Sequence, residues 1–189
     1  MIDKKDKVIK AAQQIFLKYG YKRVTMNDIA NELSISRPGL YLIFKNKDEI
    51  LKAIVLNHYQ KSLEEISLGL VNFKTPKEKI EYIFEIWILR MFDFLSLSPE
   101  AKDLMDTYTK VPREIYIDVG AKLEIQIVNV LKPHIKTNDI MSAEKLATII
   151  RHAIRGFKDA AKDFYITRTE LKQMISDFLD VILYKFKIT

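Results

Sequence analysis

The densest chemistry in this chain lies in "SRPGLY", Ser36 to Tyr41, followed closely by Lys45 and Lys47. A serine ahead of a proline suits a helix start: its hydroxyl can accept from a first-turn amide, and proline forfeits no intrahelical bond there. Such a start aims first-turn N–H groups and the positive helix end at an anion such as phosphate. Arg37 adds a fork that can read a guanine edge or clamp a phosphate. Pro38 and Gly39 are small enough in profile for the helix tip to approach DNA closely. Leu40 and Phe44, four apart, point inward, which turns Tyr41 elsewhere and leaves its hydroxyl for a phosphate. Lys47 stands near a helix start, where the dipole disfavours a cation, so an external phosphate is its expected partner. This is the chemistry of recognition, not of bond breaking. Catalysis finds few parts: there is no cysteine, and His58, His134 and His152 are scattered without a paired carboxylate or metal-ligand spacing. No glycine-rich phosphate loop or nucleophile elbow is present. The expectation is a protein that is not an enzyme and needs no cofactor or metal.

The elements that must position these groups follow from hydrophobic period. Recurrence near 3.6 residues runs almost throughout, with no convincing strand alternation. Val8, Ala12, Ile15, Phe16 and Tyr19 form a first stripe, which Gly20 ends as a left-handed cap. Thr25 starts a second helix, Asp28 completing a capping box, with Met26, Ile29, Ala30 and Leu33 on its inner face. Ser36 starts the short third helix. Asn46 starts a fourth, with Glu49 in the reciprocal capping position, running through Ile50, Leu51, Ile54, Val55 and Tyr59 toward Leu70. Pro76 opens a fifth, carrying Ile80, Ile83, Phe84, Trp87, Ile88 and Met91. A less regular stretch from Pro99 to Tyr108 precedes a helix from about Arg113 to Leu131, stopped near Pro133. Two long helices close the chain, from about Ser142 to Phe164 and from Thr167, boxed by Glu170, to about Phe186. The fold class is all-α: an N-terminal helix-turn-helix unit over residues 1–46, then a connecting helix and a larger helical bundle over residues 47–189.

Composition agrees with a folded globular chain, at 48% apolar and 30% charged residues. The absence of cysteine suits a reducing cytosol, and the most hydrophobic stretch, residues 80–97, carries Glu81, Glu85, Arg90 and Asp93, which fits a buried helix and not a membrane span. The net charge of +6 is uneven: residues 1–50 hold ten Lys or Arg against six Asp or Glu. Basic excess gathered in one segment points to a polyanionic partner.

The second and third helices are separated by "LSIS", a turn that swings two helices toward a right angle, with Ile35 placed to plug the corner. The second helix of such a pair enters a major groove. Over about residues 8–55 the chain resembles the tetracycline-repressor (TetR) family of transcriptional regulators. The resemblance is carried by Phe16-x-x-x-Gly20, by Thr25-x-x-x-Ile29-Ala30, and by Leu40-Tyr41-x-x-Phe44-x-x-Lys47. Ser34 stands where the family usually has glycine, and Ile43 where histidine or tyrosine is frequent. The resemblance implies a palindromic double-stranded DNA operator contacted by Thr25, Arg37, Pro38, Gly39, Tyr41 and Lys47; the Ser36 cap joins them on its own chemistry, and Lys45 is either a further contact or solvated charge. It implies a homodimer, formed by the last two helices through Ile154, Phe157, Ala161, Phe164, Phe178, Ile182 and Leu183. It also implies a cytoplasmic, ligand-responsive regulator, most often a repressor. A pocket for an apolar or aromatic small-molecule effector would draw on Phe84, Trp87, Ile88, Met91, Phe94, Met105, Tyr108 and Tyr116. His152 and Arg155 would orient the polar end of that ligand. The competing reading is a helical small-molecule or partner-binding protein without DNA binding, against which the intact 36–47 segment speaks.

Overall fold

The computed structural model describes residues 4–90, 100, 103, 104, 107, 111–135, 141–163 and 166–188. Among these residues there is no strand. The helices are α1 (Lys4–Tyr19), α2 (Met26–Glu32), α3 (Arg37–Tyr41), α4 (Lys47–Gly69), α5 (Pro76–Phe84), α6 (Arg113–Leu131), α7 (Ala143–Asp163) and α8 (Arg168–Lys185). Two short 3₁₀ turns, Leu70–Asn72 and Lys132–His134, extend α4 and α6, and a π-helical turn, Glu85–Leu89, extends α5. The chain packs as two units, one holding residues 1–61 and 94–116, the other 62–93 and 117–189, so the division crosses both α4 and α6.

Helix starts follow side-chain chemistry. Thr25, Thr75 and Thr167 each cap a helix in a complete reciprocal box, with Asp28, Glu78 and Glu170 returning a carboxylate to the cap amide. The second of these boxes escaped the sequence reading, which began α5 at Pro76 without its cap. At α4 the Asn46 side chain accepts from the Glu49 amide at 2.8 Å, and the Glu49 carboxylate accepts from the Lys45 amide at 2.8 Å. The box there is stretched back by one residue.

In the first unit Val8, Ala12, Ile15 and Phe16 from α1, Met26, Ile29 and Ala30 from α2, Leu40 and Phe44, and Ile50, Leu51, Ile54 and Val55 from α4 share one core. Tyr19, expected on the α1 stripe, is 49% exposed; the buried aromatic ring is Tyr21, edge-on to Phe16 at 5.0 Å. Gly20 adopts φ +82, the left-handed end expected of it.

The second unit centres on Ile80, Ile83 and Phe84 of α5, Leu123 and Ile127 of α6, Leu146, Ile150 and Ile154 of α7, and Leu171, Ile175 and Leu179 of α8. Polar ties bind its helices. Arg168, the first residue of α8, pairs with Glu85 in the π-helical turn. Glu124 of α6 accepts from Thr148 and Arg151 of α7, both at 2.6 Å. Burial raises the Glu124 carboxyl and these hydrogen bonds lower it, with a net result below the usual range.

Gly69 lies directly against the tip of the Tyr82 side chain. A Cβ built there would lie 2.1 Å from the Tyr82 hydroxyl and 2.5 Å from its ring, while that ring stacks on Phe73 at 4.7 Å. Gly69→Ala should therefore lower stability by about 1–2 kcal/mol despite alanine's better helix propensity. In a Tyr82→Ala background the same change should become neutral or stabilising. Denaturant midpoints of the four proteins check this, and additive effects would contradict it.

Candidate nucleic-acid interface

Two short helices and the turn between them build the candidate site. The turn is held by the backbone: the Ser34 amide donates to Asn31 at 3.0 Å and the Ile35 amide to Ala30 at 3.0 Å. Ser34 sits at φ +52, which accounts for the glycine usual at this position, since a Cβ strains the left-handed region. Ile35 is 36% exposed, so it lies at the rim of the corner it was expected to fill.

α3 spans five residues, little more than one turn. The Ser36 hydroxyl accepts from the Gly39 amide at 3.1 Å, and Pro38 sits in the first turn, both as expected. A Cβ at Gly39 would lie 3.1 Å from the Ser36 Oγ, so glycine keeps the cap undisturbed. Leu40 is fully buried and Phe44 nearly so, and they turn the opposite side outward. On that side Arg37 and Tyr41 are exposed, the guanidinium 5.6 Å from the ring centroid. This is cation–π range, and it holds the fork beside the ring instead of leaving it loose. Lys45 is exposed as well.

Two expected contacts differ in detail. The Thr25 hydroxyl donates to Asp28 at 2.7 Å and accepts from the Asp28 amide, so a phosphate there would have to replace the carboxylate. Hydrogen bonds from the Thr25 side chain and then its backbone hold the Asp28 carboxyl below the usual range. Lys47 does not point to the outside: its ammonium donates to the carbonyls of Tyr21 at 2.6 Å and Val24 at 2.8 Å and lies 4.2 Å from the centroid of the Tyr21 ring. Backbone carbonyls offset the unfavourable dipole in place of the expected phosphate.

One surface group was missed. Leu42 is 90% exposed directly after Tyr41. The signal was available, because an apolar residue at 42 falls off the 40/44 inward stripe.

The described members of the expected pocket set fall in both units. Phe84 and Ile88 are buried in the second unit's core and Trp87 packs against it; Tyr116 belongs to the first unit, edge-on to Tyr59 at 6.3 Å. His152 and Arg155 are exposed, beside Arg151 and Asp159 respectively, and do not face an interior. Met91, Phe94, Met105 and Tyr108 lie outside the described residues. A groove of about 860 Å³ is found instead between the start of α5 and the end of α8, lined by Thr75, Pro76, Lys77, Val181, Tyr184 and Ile188 among others.

Of the expected dimer residues, Ile154, Ala161 and Leu183 are buried within the chain's own core and are unavailable to a partner. Phe157, Phe178 and Ile182 are half-buried, with Phe157 and Phe178 edge-on at 5.6 Å. Phe164 lies outside the described residues.

Residues 8–54 match the family model described as bacterial regulatory proteins, tetR family. Over these residues the chain is similar to the N-terminal domain of that family. A Bacillus subtilis (strain 168) protein, the uncharacterized HTH-type transcriptional regulator YerO, is 33% identical over 88 residues, 43% of this chain and 29% of that protein. The matched stretch thus spans less than a third of that relative. A TetR/AcrR-family regulator from Thermobifida fusca superposes with a TM-score of 0.63 at 21% identity, over 94% of this chain and 96% of the other. Thermus thermophilus FadR, a TetR-family repressor in complex with lauroyl-CoA, superposes with a TM-score of 0.58 at 16% identity, over 95% and 93%. At these identities the two structures establish the fold: a tetR-type helix-turn-helix followed by a helical C-terminal part.

Within the tetR-type turn, Ser34→Gly should raise stability by about 0.5–1 kcal/mol. The left-handed penalty of roughly 1–2 kcal/mol is relieved, less the extra unfolded-state freedom of glycine. Chemical denaturation measures this, and a lower midpoint would contradict it.

Proposed function

We propose that the protein is a dimeric, ligand-responsive transcriptional regulator, a repressor, that binds a palindromic operator through α3. The observation that carries the reading is the outward pairing of Arg37 with Tyr41 on a capped helix tip whose other side is buried through Leu40 and Phe44. Arg37 faces base edges, Pro38 and Gly39 permit close approach, and Ser36, Tyr41 and Lys45 line the phosphate side. Thr25 joins them by exchanging its Asp28 bond for a phosphate. Cytoplasmic placement goes with this role; among the described residues no helix is long and apolar enough to cross a membrane.

Two copies joined through α7 and α8 would present two α3 helices about one DNA turn apart. Supporting this assignment, Phe157, Phe178 and Ile182 sit at the rim of the core, Ile149, Val181 and Tyr184 are exposed, and among the described residues no atom beyond Gly156's chain neighbours and the backbone of its own helix lies within 4 Å of a Cβ built there. An apolar effector in the C-terminal bundle would favour one spacing of the α3 pair and change operator affinity by its differential binding energy. The lauroyl-CoA bound by the Thermus thermophilus neighbour supports a ligand of this kind.

Arg37→Ala should weaken binding to a duplex that the wild-type protein selects from a randomised pool by about ten- to a hundredfold. The dimer should persist in sedimentation. For the wild type, log affinity should fall linearly with log salt, at about 0.9 per phosphate contacted. Unchanged affinity in the variant, or a flat salt response, would overturn the reading.

A further inference from the structure

We propose that Lys47 and Asp48 are positioning residues that fasten the first turn of α4 to the loop between α1 and α2, and so set the attitude of α3 for DNA. The inference rests on the DNA-binding reading above.

The fastening has three parts, all on the first two residues of α4. The Lys47 ammonium donates to the carbonyls of Tyr21 and Val24 at 2.6 and 2.8 Å, at the two ends of the loop. It also lies 4.2 Å from the centroid of the Tyr21 ring. The Tyr21 hydroxyl donates to the Asp48 carboxylate. Tyr21 is 2% exposed and wedged against Phe16, so the loop is gripped by backbone and side chain together. Burial, and then the Asp48 hydrogen bond and charge, push the Tyr21 phenol well above its ordinary range.

The grip reaches α3 in two short steps. Val24 adjoins Thr25, the cap of α2. From α2, the Ser34 and Ile35 amide bonds to Asn31 and Ala30 define the turn that delivers Ser36 and α3. Displacing the start of α4 pulls on the loop at both carbonyls, and through the cap on α2 and α3. A cation whose hydrogen bonds run to buried-side carbonyls serves geometry, and the charges make this testable. Asp48 is an anion, so a purely electrostatic role would have it repel DNA; as a fastening it must aid binding.

The test uses the full chain and a duplex selected from a randomised pool by the wild-type protein. Failure to select any duplex would refute the DNA-binding reading itself, separately from this inference. Tyr21→Phe keeps the ring and removes only the hydroxyl; Asp48→Ala removes the carboxylate that accepts from it; Lys47→Met removes the ammonium. Each should weaken operator binding about tenfold while circular dichroism shows the protein folded at the assay temperature. The Tyr21→Phe/Asp48→Ala double variant should be no weaker than either single one. The salt slope should be unchanged in Lys47→Met. Three outcomes overturn the proposal: Asp48→Ala binding as tightly as wild type or tighter, a slope reduced by about 1.8 in Lys47→Met as for one lost phosphate contact per copy of a dimer, or affinity falling only in proportion to the unfolded fraction.

Discussion

A helix of five residues does not hold itself together, because nucleation fixes several residues for each hydrogen bond formed. The form of α3 therefore depends on burial from outside it. Leu40, wholly inaccessible, and Phe44 insert into the core shared by α1, α2 and α4, and the Ser36 cap closes the exposed end. Once those anchors are placed, Tyr41, one position on from Leu40, is turned off the buried face, and Arg37 stands exposed beside its ring at the helix tip. The site is thus a by-product of a core contact. Loss of packing beneath Leu40 would scatter the surface groups without touching any of them.

The legibility of the chain follows the same logic. Helix limits carried by chemistry were readable to within a residue: Gly20 at its left-handed end, Thr25 with Asp28, Ser36 with Pro38, Arg113 to Leu131, and Thr167 with Glu170. Those signals are local. The tertiary destinations of polar groups were not readable. Lys47 looks like a phosphate ligand by position, and only the fold brings the Tyr21 and Val24 carbonyls to it. Tyr19 and Tyr21 exchange roles because the turn at Gly20 redirects the chain between them. In the bundle, a broad apolar face did not reveal which residues its own core would claim, and Ile154, Ala161 and Leu183 went to that core. His152 and Arg155 looked inward only on an assumed rotation of α7.

The two units differ in how they use charge. Around the helix-turn-helix the cations Arg37 and Lys45 are exposed, and Lys47 is used inside. In the second unit four of the described ion pairs join segments distant in the chain: Glu124 with Arg151, Glu85 with Arg168, Lys77 with Asp180, and Glu65 with Arg90. Pairs of this kind, partly shielded, add specificity of packing more than raw stability.

The π-helical turn at Glu85–Leu89 carries a bookkeeping consequence for anyone comparing this chain with its kin. Its i→i+5 bonds accommodate one residue more than an α turn does, so a 3.6-residue wheel drawn through α5 falls out of phase downstream of Phe84. That is why Ile86, Ile88 and Leu89 are the residues fully enclosed there while Trp87 is only partly covered. Ligand contacts transferred from a relative whose helix is uninterrupted would be misassigned by one position beyond this point, and an alignment needs a single-residue gap there before side chains are equated.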